Sequence, residues 1–340
     1  MARFRFVLLG AGFFSRKWME TVKAREDCEV VGIASRSRSR GEELQGDFGL
    51  TGVSLYTRWE EAVDHAKADA VIIALPQILH PEATVRALRA GRHVLCEKPL
   101  AVDMTGARVV YEATQKHPDQ VVMVNQNFRW RSHIQSLRRG IREGLVGRIG
   151  HMMFECRQQI RRKTVGAWRE KMPEPFLSDF AIHHFDLIRY LTGDEVTRVI
   201  GLSFRPSWSW FENNSAASAI LTLRGGAVVD YGGTMVSLGL ETPQEGLITV
   251  IGEKGTLHLD GKSEVTLHSQ GEVRTLSEEP ISGGELGYAL TEFLAAVREK
   301  RQPETHVGEH IRSLALSLAV MESSRRGGPV EVAGLLDFLT

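Results

Sequence analysis

Phe6-Val7-Leu8-Leu9-Gly10-Ala11-Gly12-Phe13-Phe14-Ser15 decides how the first third of this 340-residue chain is read. Four consecutive apolar residues suit a short strand buried on both faces, and two glycines follow where that strand would turn into a helix. Glycine there lets the backbone approach a pyrophosphate, and the N–H groups of the helix start attract its charge. Ser15 stands at the third glycine of the G-x-G-x-x-G pattern, a small residue that still permits close helix–sheet packing. Alone, such a glycine pair also fits an ordinary strand-to-helix turn. The context favours a dinucleotide site: further short apolar runs at 30–34, 71–75, 94–96 and 121–124 alternate with helical stretches such as 81–88. That alternation predicts an α/β fold, a doubly wound parallel Rossmann sheet, over residues 1–125.

Next to the fourth run stands Glu97-Lys98-Pro99. It places a cation at the C-terminal rim of the sheet, where ligands of open α/β sheets bind. A fixed cation beside a dinucleotide points to redox chemistry at a carbonyl or alcohol. The end of the second strand bears on cofactor choice. NAD binding usually needs an Asp or Glu there, and this chain has Ser35-Arg36-Ser37-Arg38, with Arg40 following. A hydroxyl and guanidinium groups suit a 2′-phosphate, although an exposed basic helix start would read the same. NADP is therefore favoured, with NAD as the alternative. The candidate contacts from these segments are Gly10, Gly12, Phe13, Phe14, Ser35, Arg36 and Arg40.

Beyond residue 130 the pattern changes. Helices near 133–143 and 178–191 are interspersed with strand-like runs at 150–156, 199–204, 219–223, 227–231 and 247–251. Arg224-Gly225-Gly226 is a tight turn between two of them, which pairs its neighbours antiparallel. Residues 126–285 thus read as an α+β domain with an open, mainly antiparallel sheet. Residues 286–340 read as a helical region broken at Pro303.

The second helix contains Asp179-Phe180-Ala181-Ile182-His183-His184-Phe185-Asp186. At about 100° per residue, Asp179, His183 and Asp186 share a stripe roughly 60° wide. An Asp one turn before a His can orient the imidazole and raise its basicity. A structural helix with a capping Asp and a hydrogen-bonded core His would look the same. Adjacent histidines on a helix point about 100° apart, so no metal is expected at His183-His184. A serine nucleophile is unsupported too, because no G-x-S-x-G elbow occurs.

Composition narrows the class. Lys plus Arg and Asp plus Glu are 42 each, so no net basic field argues for nucleic acid. The cysteines Cys28, Cys96 and Cys156 lack metal or disulfide spacing and read as buried thiols. No apolar run approaches the ~20 residues that span a bilayer, and Met1 leads directly into strand-like sequence. A cytoplasmic location is expected.

Taken together, these segments resemble the Gfo/Idh/MocA family of dinucleotide-dependent oxidoreductases. The resemblance is carried by Gly10-Ala11-Gly12, by residues 69–80 and 90–99, and by residues 179–193, similar to the family's D-x-G-x-H-x-x-D helix. It implies a catalytic group of Lys98, Asp179 and His183. His183 would take the hydroxyl proton as hydride leaves the same carbon, Lys98 would polarise the oxygen, and Asp179 would tune or relay. It also implies that Leu75, Pro76 and His80 line the cofactor, with Glu97 near the nicotinamide ribose. The Lys98–Pro99 peptide is often cis in the family, and the C-terminal helix returns to the cofactor domain. Two departures stand out: Ala181 replaces a usual glycine, and Pro173-Glu174-Pro175-Phe176-Leu177-Ser178 replaces a common Gly-Gly run, which alters the approach to the substrate. Candidate substrate contacts are Asn127, Arg129, Trp168, Arg169, His184 and Tyr231, each with an equally ordinary structural role.

The resulting expectation is an NAD(P)-dependent oxidoreductase acting on a sugar, polyol or sugar-derived ketone. Two other readings are a glycosidase that oxidises its substrate transiently and a non-catalytic dinucleotide-binding regulator; the presence of both Lys98 and His183 favours an enzyme. The open sheet needs a cover, and the family often supplies it with another subunit, so a homodimer or homotetramer is expected.

Overall fold

A computed structural model describes residues 3–162 and 169–339. The chain divides into two compact units, Met1–Asn127 with Ser282–Ile311, and Phe128–Ile281 with Arg312–Phe338.

The first unit runs β1 (Phe4–Leu9), α1 (Phe13–Lys23), β2 (Cys28–Ala34), α2 (Arg38–Asp47), β3 (Ser54–Tyr56), α3 (Trp59–His65), β4 (Ala70–Ile73), α4 (His80–Arg89), β5 (His93–Glu97), α5 (Met104–Lys116) and β6 (Val122–Asn125). Its six strands form one sheet in the order β3-β2-β1-β4-β5-β6, every neighbouring pair parallel. All four residues of β4 and of β6 are buried, as continuous apolar runs between two helical layers should be. The helices are amphipathic: α1 buries Ser15, Trp18, Met19 and Val22 at helical spacing. The strand order reverses between β1 and β4, so the crevice of the sheet opens beside the glycine loop.

The second unit continues with α6 (Ser132–Arg142), β7 (Ile149–Arg157), α7 (Ala181–Thr192), β8 (Val196–Phe204), β9 (Ala216–Leu223), β10 (Val228–Thr234), β11 (Leu247–Gly252), β12 (Gly255–Leu259), β13 (Val265–Ser269) and β14 (Glu272–Thr275). Helix α8 (Gly284–Glu299) belongs to the first unit; α9 (Val307–Arg326) and β15 (Val330–Glu331) follow. The nine strands are ordered β14-β13-β12-β11-β7-β10-β9-β8-β15, and all pairs are antiparallel except β10 with β7. Period-2 alternation gives this sheet two different faces. Met152, Phe154 and Cys156 of β7 are buried, while Met153 and Glu155 are exposed. Helix α7 is buried along its whole length from Ala181 to Leu191 and stops at Gly193, whose φ of 64° is the left-handed helix cap. Among the described residues no helix is long and apolar enough to cross a membrane.

The sequence reading of one helix over about 178–191 needs correction. A π-turn occupies Phe176–Phe180, with the Ala181 N–H reaching back to the Phe176 carbonyl, and α7 starts only after it. Pro175, which caps that turn, fixes its own φ and has no N–H to extend a helix backward. Strands β3 and β12–β14 had no sequence reading, and β15 falls in the region read as helical, because these strands are short or lie at the sheet margin.

Candidate active site

The nucleotide end of the site is built by the glycine loop. Gly10 has φ +116°, and a Cβ there would lie 2.4 Å from the Ala74 carbonyl oxygen. Only glycine fits where β1 meets the end of β4. At Gly12 an added Cβ would meet nothing within 4 Å. The first turn of α1 carries no acidic side chain to compete with an anion for its N–H groups. Buried Ser15 accepts a hydrogen bond from the Gly12 N–H at 3.3 Å, filling the third-glycine position without bulk. Such a cradle fits a pyrophosphate at a helix N-terminus.

After β2, the Ser35 hydroxyl donates to the Ser37 carbonyl, and Ser37 caps α2 by accepting from the Arg40 N–H. Arg38 pairs with Glu42, whereas the exposed Arg36 and Arg40 side chains have no ion pair among the described residues. No carboxylate lies between Ala34 and Arg40.

Lys98 sits on a segment fixed at several points. The Lys98–Pro99 peptide is cis. Preceding it, buried Glu97 accepts from Trp18 Nε1 at 2.7 Å and Asn125 Nδ2 at 2.9 Å, and burial pushes its carboxyl pKa upward. After it, the Pro99 carbonyl lies 2.7 Å from His80 Nδ1, and the Leu100 N–H donates to His310 Nε2 at 3.1 Å. The other nitrogen of His80 lies 2.8 Å from the Leu75 carbonyl, and burial lowers the pKa of this ring. His80 therefore ties the Leu75 loop to the Pro99 loop. Along residues 94–101 every residue is buried except Lys98, which is half-buried. Glu97 and His80, read from the sequence as cofactor-lining, are engaged by protein groups that brace the lysine.

In the second unit the residues around α7 form three pairs. Asp179, in the π-turn, accepts from Arg169 Nε at 3.0 Å and Nη2 at 2.9 Å. Because that turn is wider than an α-helix, the 100° spacing does not relate Asp179 to His183. Asp186 takes a buried bidentate pair from Arg129, at 2.5 and 2.7 Å, and a bond from Ser313 Oγ at 3.0 Å. His184 Nε2 donates to the Gln244 carbonyl, so its Nδ1 accepts from the Tyr231 hydroxyl, both at 2.8 Å. Burial lowers the His184 pKa to about 4, keeping the ring neutral. Arg129, His184 and Tyr231 are thus buried and committed to protein partners. Asn127 is buried as well, and Trp168 lies outside the described residues.

The π-turn is itself anchored. Glu174, at φ 47°, accepts from Asn214 Nδ2 at 2.9 Å and from the Ser203 hydroxyl. Phe176 packs so tightly on β10 that a Cβ at Gly233 would come 2.2 Å from its ring. The His183 imidazole stacks on Phe128, with ring centroids 4.1 Å apart and planes 11° from parallel. Trp18, Asn125, Phe128 and His310 escaped the sequence reading, and Glu174 entered it only as part of the 173–178 departure, without a role. Phe128 and Asn125 left a trace, since they flank residues singled out in Asn125-Gln126-Asn127-Phe128-Arg129.

A parallel sheet ordered 3-2-1-4-5-6, with its glycine cradle at the switch point, defines a dinucleotide-binding Rossmann protein. Residues 4–126 match the model of an oxidoreductase family's NAD-binding Rossmann fold, and residues 138–332 match its C-terminal alpha/beta domain. The chain belongs to the Gfo/Idh/MocA family of oxidoreductases. It is 26% identical to D-apiose dehydrogenase of Paraburkholderia graminis, covering 98% of this chain and 91% of that one. It is 28% identical to 1,5-anhydro-D-fructose reductase of Ensifer adhaerens, over 96% and 98% of the two chains. An oxidoreductase from Agrobacterium radiobacter, solved with NAD+, L-tartaric acid and magnesium, has the same fold; its TM-score is 0.91 at 20% identity, over 98% of this chain and 100% of that one.

Proposed function

We propose that this oxidoreductase transfers hydride between a nicotinamide and a carbon bearing a hydroxyl or carbonyl in a sugar, polyol or sugar-derived ketone. The observation that carries the reading is Lys98, the one half-buried residue on a buried, multiply braced segment at the rim of an NAD-binding sheet. The names of the sugar-active relatives support the substrate class.

When bound, the nicotinamide supplies the hydride acceptor or donor. In the oxidative direction His183 takes the hydroxyl proton as hydride leaves the same carbon. The Lys98 ammonium donates a hydrogen bond to that oxygen and stabilises its developing negative charge. Asp179, oriented by Arg169, tunes the group electrostatically. In reduction each transfer runs in reverse. Arg36 and Arg40, which have no ion pair among the described residues, hold an adenosine 2′-phosphate, which favours NADP over NAD. The exposed apolar side chains of the open sheet face are covered by a second copy of the chain in a homodimer or homotetramer.

The test is a titration with both cofactors followed by absorbance assays on a panel of polyols and aldoses. Lys98→Ala and His183→Asn should each lower kcat by about 10²–10⁴-fold while dinucleotide affinity persists. Wild-type turnover in either variant would remove the assigned role. Charge removal in Arg36→Ala/Arg40→Ala should weaken NADP and spare NAD; equal effects on both would overturn the 2′-phosphate assignment.

A further inference from the structure

We propose that Phe128 is a positioning residue for His183: it sets the plane of the imidazole and is itself clamped from behind by Arg131. The inference rests on the assignment of His183 as proton carrier and adds a residue that neither moves protons nor bears charge.

Phe128 and His183 are both about 5% exposed, and their rings stack almost parallel. Arg131 Cζ stands over the same Phe128 ring, 3.7 Å from its centroid. Two planar groups this close to one centroid cannot share a face without overlapping, so the imidazole and the guanidinium lie on opposite faces. Arg131 is held in turn by an ion pair with Glu245, which is buried and also contacts His133 Nε2 at 2.5 Å. Burial opposes ionisation of Glu245, but the His133 hydrogen bond and the Arg131 charge prevail and hold its pKa down to about 2. The carboxylate stays charged, and the guanidinium stays over Phe128.

The arrangement matters because the last torsion of histidine has a broad, shallow preference. The torsion by itself therefore defines the plane of the imidazole only loosely. Proton transfer needs the ring nitrogen aimed at the substrate oxygen within about 10–20°. A flat wall against one face removes much of that freedom, and a wall pinned by a cation–π contact and an ion pair does not recede. An aliphatic side chain of similar volume would fill the space but offer no plane.

Phe128→Leu should therefore lower kcat about tenfold or more with little change in KM for substrate or cofactor. Phe128→Tyr, which keeps the flat face, should restore kcat to within about twofold of wild type. His183→Asn, assayed on the same substrate, separates two failures. If it turns over normally, the assignment of His183 fails; if it is inactive while Phe128→Leu matches wild type, the positioning role is overturned. A second readout needs no substrate and covers a Phe128→Leu chain that does not fold. In the folded wild-type protein labelled with ¹³C-histidine, the His183 Cε1–H proton, identified by its loss in His183→Asn, should be displaced upfield by the Phe128 ring current. An undisplaced resonance would overturn the stacking on which the proposal stands.

Discussion

Two substitutions test buried polar pairs at the level of single side chains. The Arg129 and Asp186 side chains are 3% and 2% exposed, so Arg129→Met leaves a carboxylate uncompensated in the core. A loss of about 3–5 kcal/mol in urea unfolding is expected; a loss below about 1 kcal/mol would show that the pair contributes little. His184 makes stability depend on pH. Its pKa falls from 6.5 to about 4 on folding, so between those values the unfolded state binds the extra proton more readily. The contribution is complete above pH ~6.5 and decays as pH falls toward 4, by up to about 3 kcal/mol. Unfolding midpoints at pH 7 and pH 5 should diverge in wild type and converge in His184→Gln. The sequence marked Arg129, Arg169 and His184 as candidate substrate contacts, and each is engaged by a protein group. What it withheld was their partners: Asp186, Asp179 and Tyr231 are matched to them by packing, and a guanidinium facing a core carboxylate has the same local sequence as one awaiting substrate. Lys98 was easier to read because proline directly after a buried strand is itself a local signal.

Among the elements, the glycine loop separates folding from binding. Gly10→Ala forces a Cβ into the Ala74 carbonyl at a backbone conformation that alanine avoids, so it should destabilise the first unit by more than about 2 kcal/mol. Gly12→Ala meets open space in the protein and should leave the melting temperature within a degree or two, yet weaken dinucleotide binding about tenfold or more. Equal melting losses in both variants would refute the distinction. The parallel sheet was legible because strands buried on both faces are unbroken apolar runs. The π-turn was not. Its hydrogen-bond shift comes from Pro175, the Glu174 contacts with Ser203 and Asn214, and the Phe176–Gly233 fit, and two of these three involve strands distant in sequence. Strand β14, exposed at all four positions, had no alternation to reveal it.

For the molecule as a whole, the open face of the nine-stranded sheet predicts association. Ile200 and Ile220 are register partners on β8 and β9, and both, with Leu202 and Met153, are 44–56% exposed. Leu202→Glu with Ile220→Lys should convert the proposed dimer or tetramer to monomers in sedimentation velocity, without unfolding the chain; an unchanged mass would place any interface elsewhere. The sequence indicated that an open sheet would exist, because alternation assigns one face to the core. It could not rank the opposite face, since scattered exposed apolar residues are ordinary until register lines them up.

The divided first unit has a consequence in time. The Val124 N–H donates to the Thr305 carbonyl and the Leu100 N–H to His310, both made far later, so the chain must reach the end of Ser282–Ile311 before the segment carrying Lys98 is fully braced. At about 5–20 residues per second, a ribosome needs roughly 10–40 s to travel from Asn127 to Ile311. During that interval all six strands of the dinucleotide sheet exist but the first unit lacks its last segment, and β7 gains its neighbours β10 and β11 only part-way through.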